Sequence, residues 1–318
     1  MRSRSFILGL TVLALFASAC TKGDWQKDAI SFAPVASKPT KAIISGTTYP
    51  IGESFKVSAF HNGTAAYFEG LTASRISDNL WETSSTQYWP LGGSLAFNAY
   101  SPASANATIS ASGVSVSGYT IQNTTQMETD FCYASATVAN CDSHPNAVPL
   151  AFSHALSQVV FRVKAAGYYS TNTTAVSLAM TSLSLSGICS VGDFSSADGW
   201  ENQGTERTYP LSNSSTALTY NNRQPNTIDV CSYLFIPQEL GANAAITVGY
   251  NIIQTVDANN YTLTNSPVTI PLGTGINEWQ PGKKYIYTIS IGMDNVINFT
   301  VTAVGWQDMN DNILVEEN

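Results

Sequence analysis

Apolar and polar residues alternate with a period of two, in short segments from one end of the chain to the other, and this pattern narrows the fold most. Phe55, Val57 and Ala59 alternate with Lys56 and Ser58, and Leu95, Phe97 and Ala99 with Ala96 and Asn98. In the second half Val159, Phe161 and Val163 alternate with Arg162 and Lys164. Tyr285, Tyr287, Ile289 and Ile291 alternate with Ile286, Thr288 and Ser290, and Ile297, Phe299, Val301 and Ala303 with Asn298, Thr300 and Thr302. Neighbouring side chains on a strand point to opposite faces, so each segment reads as a strand with one face on a core. Gly, Pro, Asn and Ser clusters bound the segments, as in antiparallel sheets. Val176, Leu178 and Met180 share one parity and Leu183 and Leu185 the other, which predicts a bulge at Thr181 and Ser182. The expected class is all-β, with residues 101–128 and 193–223 as long polar loops.

Composition excludes the main rivals. Only 11% of the 318 residues are charged, against about 25% in ordinary soluble domains, which argues against coiled coils, charged bundles and charge-driven disorder. At roughly 150 residues per domain the length predicts two domains, each able to bury its own core. The break is placed where a fresh apolar run begins after residues 146–149, giving domains 20–147 and 148–318. A net charge of −8 offers no footprint for phosphate backbones, so nucleic acid is not an expected partner.

Arg2 and Arg4 precede an apolar stretch over residues 6–17, and Ala17, Ser18 and Ala19 lead directly into Cys20. That stretch is about 12 residues, short of the roughly 20 a spanning helix needs. Residues 1–19 therefore read as a lipoprotein signal peptide and Cys20 as the lipidation site, carrying diacylglycerol and a further acyl chain such as palmitate. Two or three chains anchor a protein stably. The alternative is an ordinary secreted protein in which Cys20 has no role. Cys132, Cys141, Cys189 and Cys231 remain, an even number in an exported chain, so disulfides are expected. Of the three connectivities, Cys132 with Cys141 and Cys189 with Cys231 is preferred.

No catalytic pattern emerges. His61, His144 and His154 lie outside any hydrolase or nucleophile-elbow spacing, and no phosphate-cradling Gly-rich loop is present. Ser153 and His154 are strand neighbours that point apart. Cys141 and His144 complete no zinc pattern, and the run from Asp308 to Asn312 is followed by Ile313 where a calcium loop needs Gly. Asp193, Asp198, Glu201 and Trp200 form an acidic aromatic group that could cradle a sugar. The reading is a non-enzymatic protein without cofactor or metal, built for assembly or binding.

Several segments carry a family resemblance. They are Leu150-Ala-Phe-Ser-His154 with its continuation to Lys164, Leu234-Phe-Ile-Pro-Gln238, and the run from Trp279 to Ile289. Thr302-Ala-Val-Gly-Trp306, Ile30-Ser-Phe32, Thr40-Lys-Ala42, Tyr88-Trp-Pro90 and the run from Leu95 to Pro102 complete the set. Taken in chain order they resemble the fimbrillin-like proteins of Bacteroidetes. The resemblance implies two transthyretin-like antiparallel β-sandwich domains, lipoprotein export to the cell outer membrane, and assembly with other subunits into type V pili. It implies no cofactor or catalytic residue.

In that family a protease removes the lipidated N-terminal segment with its first strand, and the gap accepts a strand from another subunit. The candidate first strand here spans residues 29–34. Family stalk subunits are cut after Arg, but no Arg lies between Cys20 and Arg75; Lys38 and Lys41 are the nearest basic alternatives, and Pro39 disfavours Lys38. Ile313, Leu314 and Val315 form the candidate donor strand. The rival reading is a non-polymerising, glycan-binding surface lipoprotein that presents Trp81, Trp89 or Trp200 to a host or bacterial surface partner.

Overall fold

The computed structural model describes residues 28–36, 52–77, 80–121, 129–171, 173–293 and 296–306. The first half carries β1 Phe32–Ala36, β2 Ser54–His61, β3 Ala65–Ser77, β4 Leu80–Thr83, β5 Leu95–Ser101, β6 Thr108–Ser110, β7 Gly113–Thr120, β8 Cys132–Val138 and β9 Val148–His154. Next come β10 Ser157–Ala165, β11 Tyr169–Ser170, β12 Thr174–Ser195, β13 Gly199–Ser212, β14 Thr216–Ala217, β15 Tyr220–Asn221, β16 Gln224–Pro225 and β17 Ile228–Phe235. The last are β18 Gln238–Glu239, β19 Ala245–Val256, β20 Asn259–Thr264, β21 Val268–Pro271, β22 Glu278–Trp279, β23 Lys283–Ile291 and β24 Ile297–Gly305. No α-helix occurs among the described residues; a short 3-10 turn at Cys141–Ser143 is the helical exception. The fold is all-β.

A seven-stranded sheet in the order β1-β9-β8-β5-β2-β3-β4 supplies the first core, in which Phe55, Phe97, Val148, Leu150 and Phe152 are buried. The β2–β3 turn spans residues 62–64, and Asn62 and Gly63 have φ of 51° and 78°, left-handed values that Asn and Gly adopt at little cost. The second core lies between a four-stranded sheet, β17-β10-β23-β24, and a larger one ordered β20-β19-β12-β7-β6. Val159, Phe161, Tyr287 and Ile289 of the former meet Leu178, Met180, Leu185, Ile246 and Tyr250 of the latter. Among the described residues pairing is antiparallel except at β1 with β9 and β10 with β23.

The predicted bulge is present: the register of β12 against β19 shifts between Met180 and Ser182. Other expectations change. Strand β9 belongs to the first sheet, with Phe152 in the first core, and Ala155 and Leu156 just after it lie in the second. The chain also crosses earlier, because Val114 and Val116 of β7 pack in the second core and β7 pairs with β12. The two supposed loops hold strands. Residues 101–128 contain β6 and β7, and residues 193–223 contain most of the β12–β13 ribbon. Strand β13 is exposed or half-buried over most of its length, so it lacks the apolar alternation by which a strand is recognised.

Candidate functional site

The first strand is the candidate site, because it lies at a sheet edge and its Phe32 and Pro34 side chains are buried. Phe32 pairs with Val148, Pro34 with Leu150 and Ala36 with Phe152, in parallel register. Among the described residues no other strand pairs residues 148–152 of β9; its contact with β8 is confined to Ser153 and His154. Just before β1 the backbone is tied to a second segment: Ile30 donates its N–H to Gln87 O at 2.7 Å, and Trp89 donates to Asp28 O at 3.0 Å. Ile30 and Phe32 are buried, and the Phe32 ring meets both Phe55 and Phe97 edge to face.

A stacked pair stands beside this entry. Trp89 and His144 lie ring on ring, 4.4 Å apart and 3° from parallel, with His144 Nε2 3.4 Å from Asp28 Oδ2. Removing the segment from Asp28 to Ala36 would therefore bare the main chain of β9 and an apolar groove over Phe55, Phe97 and Phe152. The segment predicted from sequence, residues 29–34, overlaps this element; its strand geometry runs from Phe32 to Ala36.

Cys20, Lys38, Lys41, Ile313, Leu314 and Val315 lie outside the described residues. The four remaining cysteines are free thiols, so neither preferred disulfide is formed. Strand geometry explains the first: Cys132 opens β8 and Cys141 lies beyond its far end, about 20 Å away at roughly 3.3 Å per residue, far more than a disulfide allows. Cys231 packs on the second core, whereas Cys189 alternates with the buried Ile188 and Ser190 and faces outward near Glu206. Burial pushes the Cys231 thiol up to about 12.

The three tryptophans expected to present a sugar platform are engaged within the protein. Trp89 is buried, and Trp81 packs against Phe55 at 5.3 Å. Trp200 donates Nε1–H to Ala155 O at 2.6 Å and meets Tyr119 and Phe194. Asp193 does not face a cleft with Glu201: it accepts from Gly118 N at 2.7 Å, Ser117 Oγ at 3.2 Å and Asn202 Nδ2 at 2.8 Å. The Gly118 N–H first, then the Asn202 amide and Ser117 hydroxyl, hold its carboxyl below the usual range. Asp198, Trp200 and Glu201 instead line a wide cavity of about 540 Å³ with Glu239, Glu278 and Gln280.

Sequence spacing missed one group, which the register of β8 with β9 assembles: Asp130, Cys132 and His154, all buried. His61 stays apart, near Gly92 O.

A family profile described as Fimbrillin-like matches residues 40–306. No curated protein matches the chain in sequence. Among solved structures, a candidate cell adhesion protein from Bacteroides ovatus superposes with a TM-score of 0.52 at 15% identity, covering 89% of this chain and 99% of its own. A candidate adhesin from Bacteroides thetaiotaomicron gives a TM-score of 0.50 at 7% identity, covering 88% and 98%. At these identities the likeness is one of fold.

Proposed function

This chain belongs to the fimbrillin-like family, and from that premise we propose that it is a structural subunit or anchor of type V cell-surface fimbriae that contributes to adhesion. In this reading Cys20 carries the lipid that holds it at the outer membrane, and neighbouring subunits join it by strand complementation. The observation that carries the proposal is the edge position of β1. Among the described residues this strand of five alone covers residues 148–152 of β9, and it inserts Phe32 between Phe55 and Phe97. Its loss creates what an incoming strand needs, unpaired main-chain groups beside an apolar groove. Cleavage after Lys38 or Lys41 releases β1, and residues 313–315 of another subunit fill its place.

The glycan-binding reading draws less support, because Trp81, Trp89 and Trp200 already spend their ring faces or indole N–H on the protein itself.

The test is mass spectrometry of the N-terminal residue and lipid state, on sheared surface material and on washed membranes. A lipid-free chain starting after Lys38 or Lys41 in sheared filaments supports a polymerising subunit. Lipidated Cys20 in membranes, with filament length or number changed when residues 313–318 are deleted, supports an anchor. Assembly unaffected both by that deletion and by blocking the cleavage defeats strand complementation.

A further inference from the structure

Asp130, Cys132 and His154 bring a carboxylate, a thiol and an imidazole together inside the protein. Asp130 and Cys132 are two residues apart, so their side chains leave the same face, while Phe131 between them turns into the second core. His154 stands directly opposite Cys132 in the pairing of β8 with β9. Cys132 Sγ lies 3.3 Å from Asp130 Oδ2 and 3.5 Å from His154 Nδ1, and that nitrogen is 2.7 Å from the same carboxylate oxygen. Relative exposures are 2% for Asp130, 2% for Cys132 and 8% for His154. The His154 ring is capped by Trp306, stacked at 4.0 Å and 20°.

One atom in this cluster is left over. Asp130 Oδ1 is buried and has no hydrogen-bond partner among the described residues, an arrangement that costs free energy unless something else meets it. The remaining distances indicate what does. With a metal–sulfur bond of about 2.3 Å and metal–nitrogen or –oxygen bonds of about 2.0–2.1 Å, a tetrahedral ion sets its S–N and S–O edges near about 3.5 Å. The observed sulfur edges match. The shorter nitrogen–oxygen edge is a hydrogen bond of 2.7 Å that must open to about 3.3 Å when its proton leaves.

We propose that Asp130, Cys132 and His154 form a buried site for a divalent transition-metal ion of the zinc class, with the second oxygen of Asp130 or a water as fourth ligand. The donor set of a soft thiolate sulfur and an imidazole nitrogen with one carboxylate suits zinc rather than calcium or magnesium. Charge supports it as well: a dication with one thiolate and one carboxylate is neutral, which an apolar interior tolerates. On binding, the thiol proton leaves to solvent, and a proton on Nδ1 moves to Nε2 or leaves, freeing the lone pair for the metal. The bound ion would join β8 to β9 and, through His154, to Trp306 beyond β24.

The test uses the full chain carrying Cys20→Ser, stripped with a chelator and titrated with Co²⁺ and Zn²⁺. Expected are one ion per chain, a cobalt–thiolate charge-transfer band that vanishes in Cys132→Ser, and retention of that band in Cys231→Ser. X-ray absorption of the zinc-loaded chain keeps the test independent of whether the Cys132 variant folds: one sulfur and two or three nitrogen or oxygen ligands support the site. A wild-type chain that gives no charge-transfer band, or a zinc shell without sulfur, overturns it.

Discussion

Phe32 meets Phe55 edge to face, with ring centroids 5.9 Å apart and planes at 87°, so a strand at the edge of the first sheet is anchored in the middle of its core. Aromatic pairs of this geometry add about 0.5–1.5 kcal/mol beyond the area they bury. Phe32→Ala removes the anchor and leaves a cavity, at an expected cost of about 3–5 kcal/mol. Urea unfolding followed by tryptophan fluorescence measures it. A loss below about 1 kcal/mol would mean that β1 is not held by the core at all.

Tyr287 is expected to set the alkaline limit of the second core. Its hydroxyl accepts the indole N–H of Trp279 at 3.0 Å, and both side chains are buried. Burial, opposed in part by that hydrogen bond, pushes its phenol up to about 12. The folded value lies above the unfolded one, so the unfolded chain loses its proton first. This contribution to stability is intact below about pH 10 and falls as the pH rises towards about 12. Tyr287→Phe strands the Trp279 N–H at about 1–3 kcal/mol at neutral pH and flattens the decline above pH ~10. Chemical denaturation of both proteins across that range reads both effects.

Gly187 in β12 has φ of +68°, and a Cβ there would lie 2.2 Å from the backbone carbon and oxygen of Asn243. It also sits where the register against β13 shifts, between Leu185 and Ile188. Gly187→Ala combines a left-handed conformation with a backbone clash and should cost at least about 1–3 kcal/mol. A melting temperature within error of wild type would place the loop carrying Asn243 elsewhere.

Asp193 clamps the crossing of β7 and β12 through Gly118, Ser117 and Asn202. Its carboxyl titrates below the ordinary range, so its contribution is present above the unfolded value of about 3.9 and is lost as the pH falls through the folded one. Wild type should therefore exceed Asp193→Asn in urea midpoint at pH 6, and the gap should close under acid conditions. A gap that widens in acid would contradict the clamp.

Strand identity was legible wherever apolar residues alternate with polar or small ones, as in β2, β5 and β24. It was illegible in β13, whose largely exposed ribbon carries polar residues on both faces, and those residues looked like a loop. The edge strand was reached through the family resemblance of Ile30-Ser-Phe32 and not through alternation.

The sequence by itself determined the all-β class, the segments that become strands and the phase change at Thr181 and Ser182. Side-chain parity is a local property, so it survives in the linear order. Tertiary structure alone decided which strands became neighbours: that β9 completes the first sheet, that β7 crosses to the second core, that the thiols stay apart. It also decided that Asp130, Cys132 and His154 meet, although Cys132 and His154 are 22 residues apart. The reason is physical, since backbone hydrogen bonds between strands are the same for every residue type except proline and leave almost no local signature. A pairing slipped by one residue would turn each of these side chains to the other face.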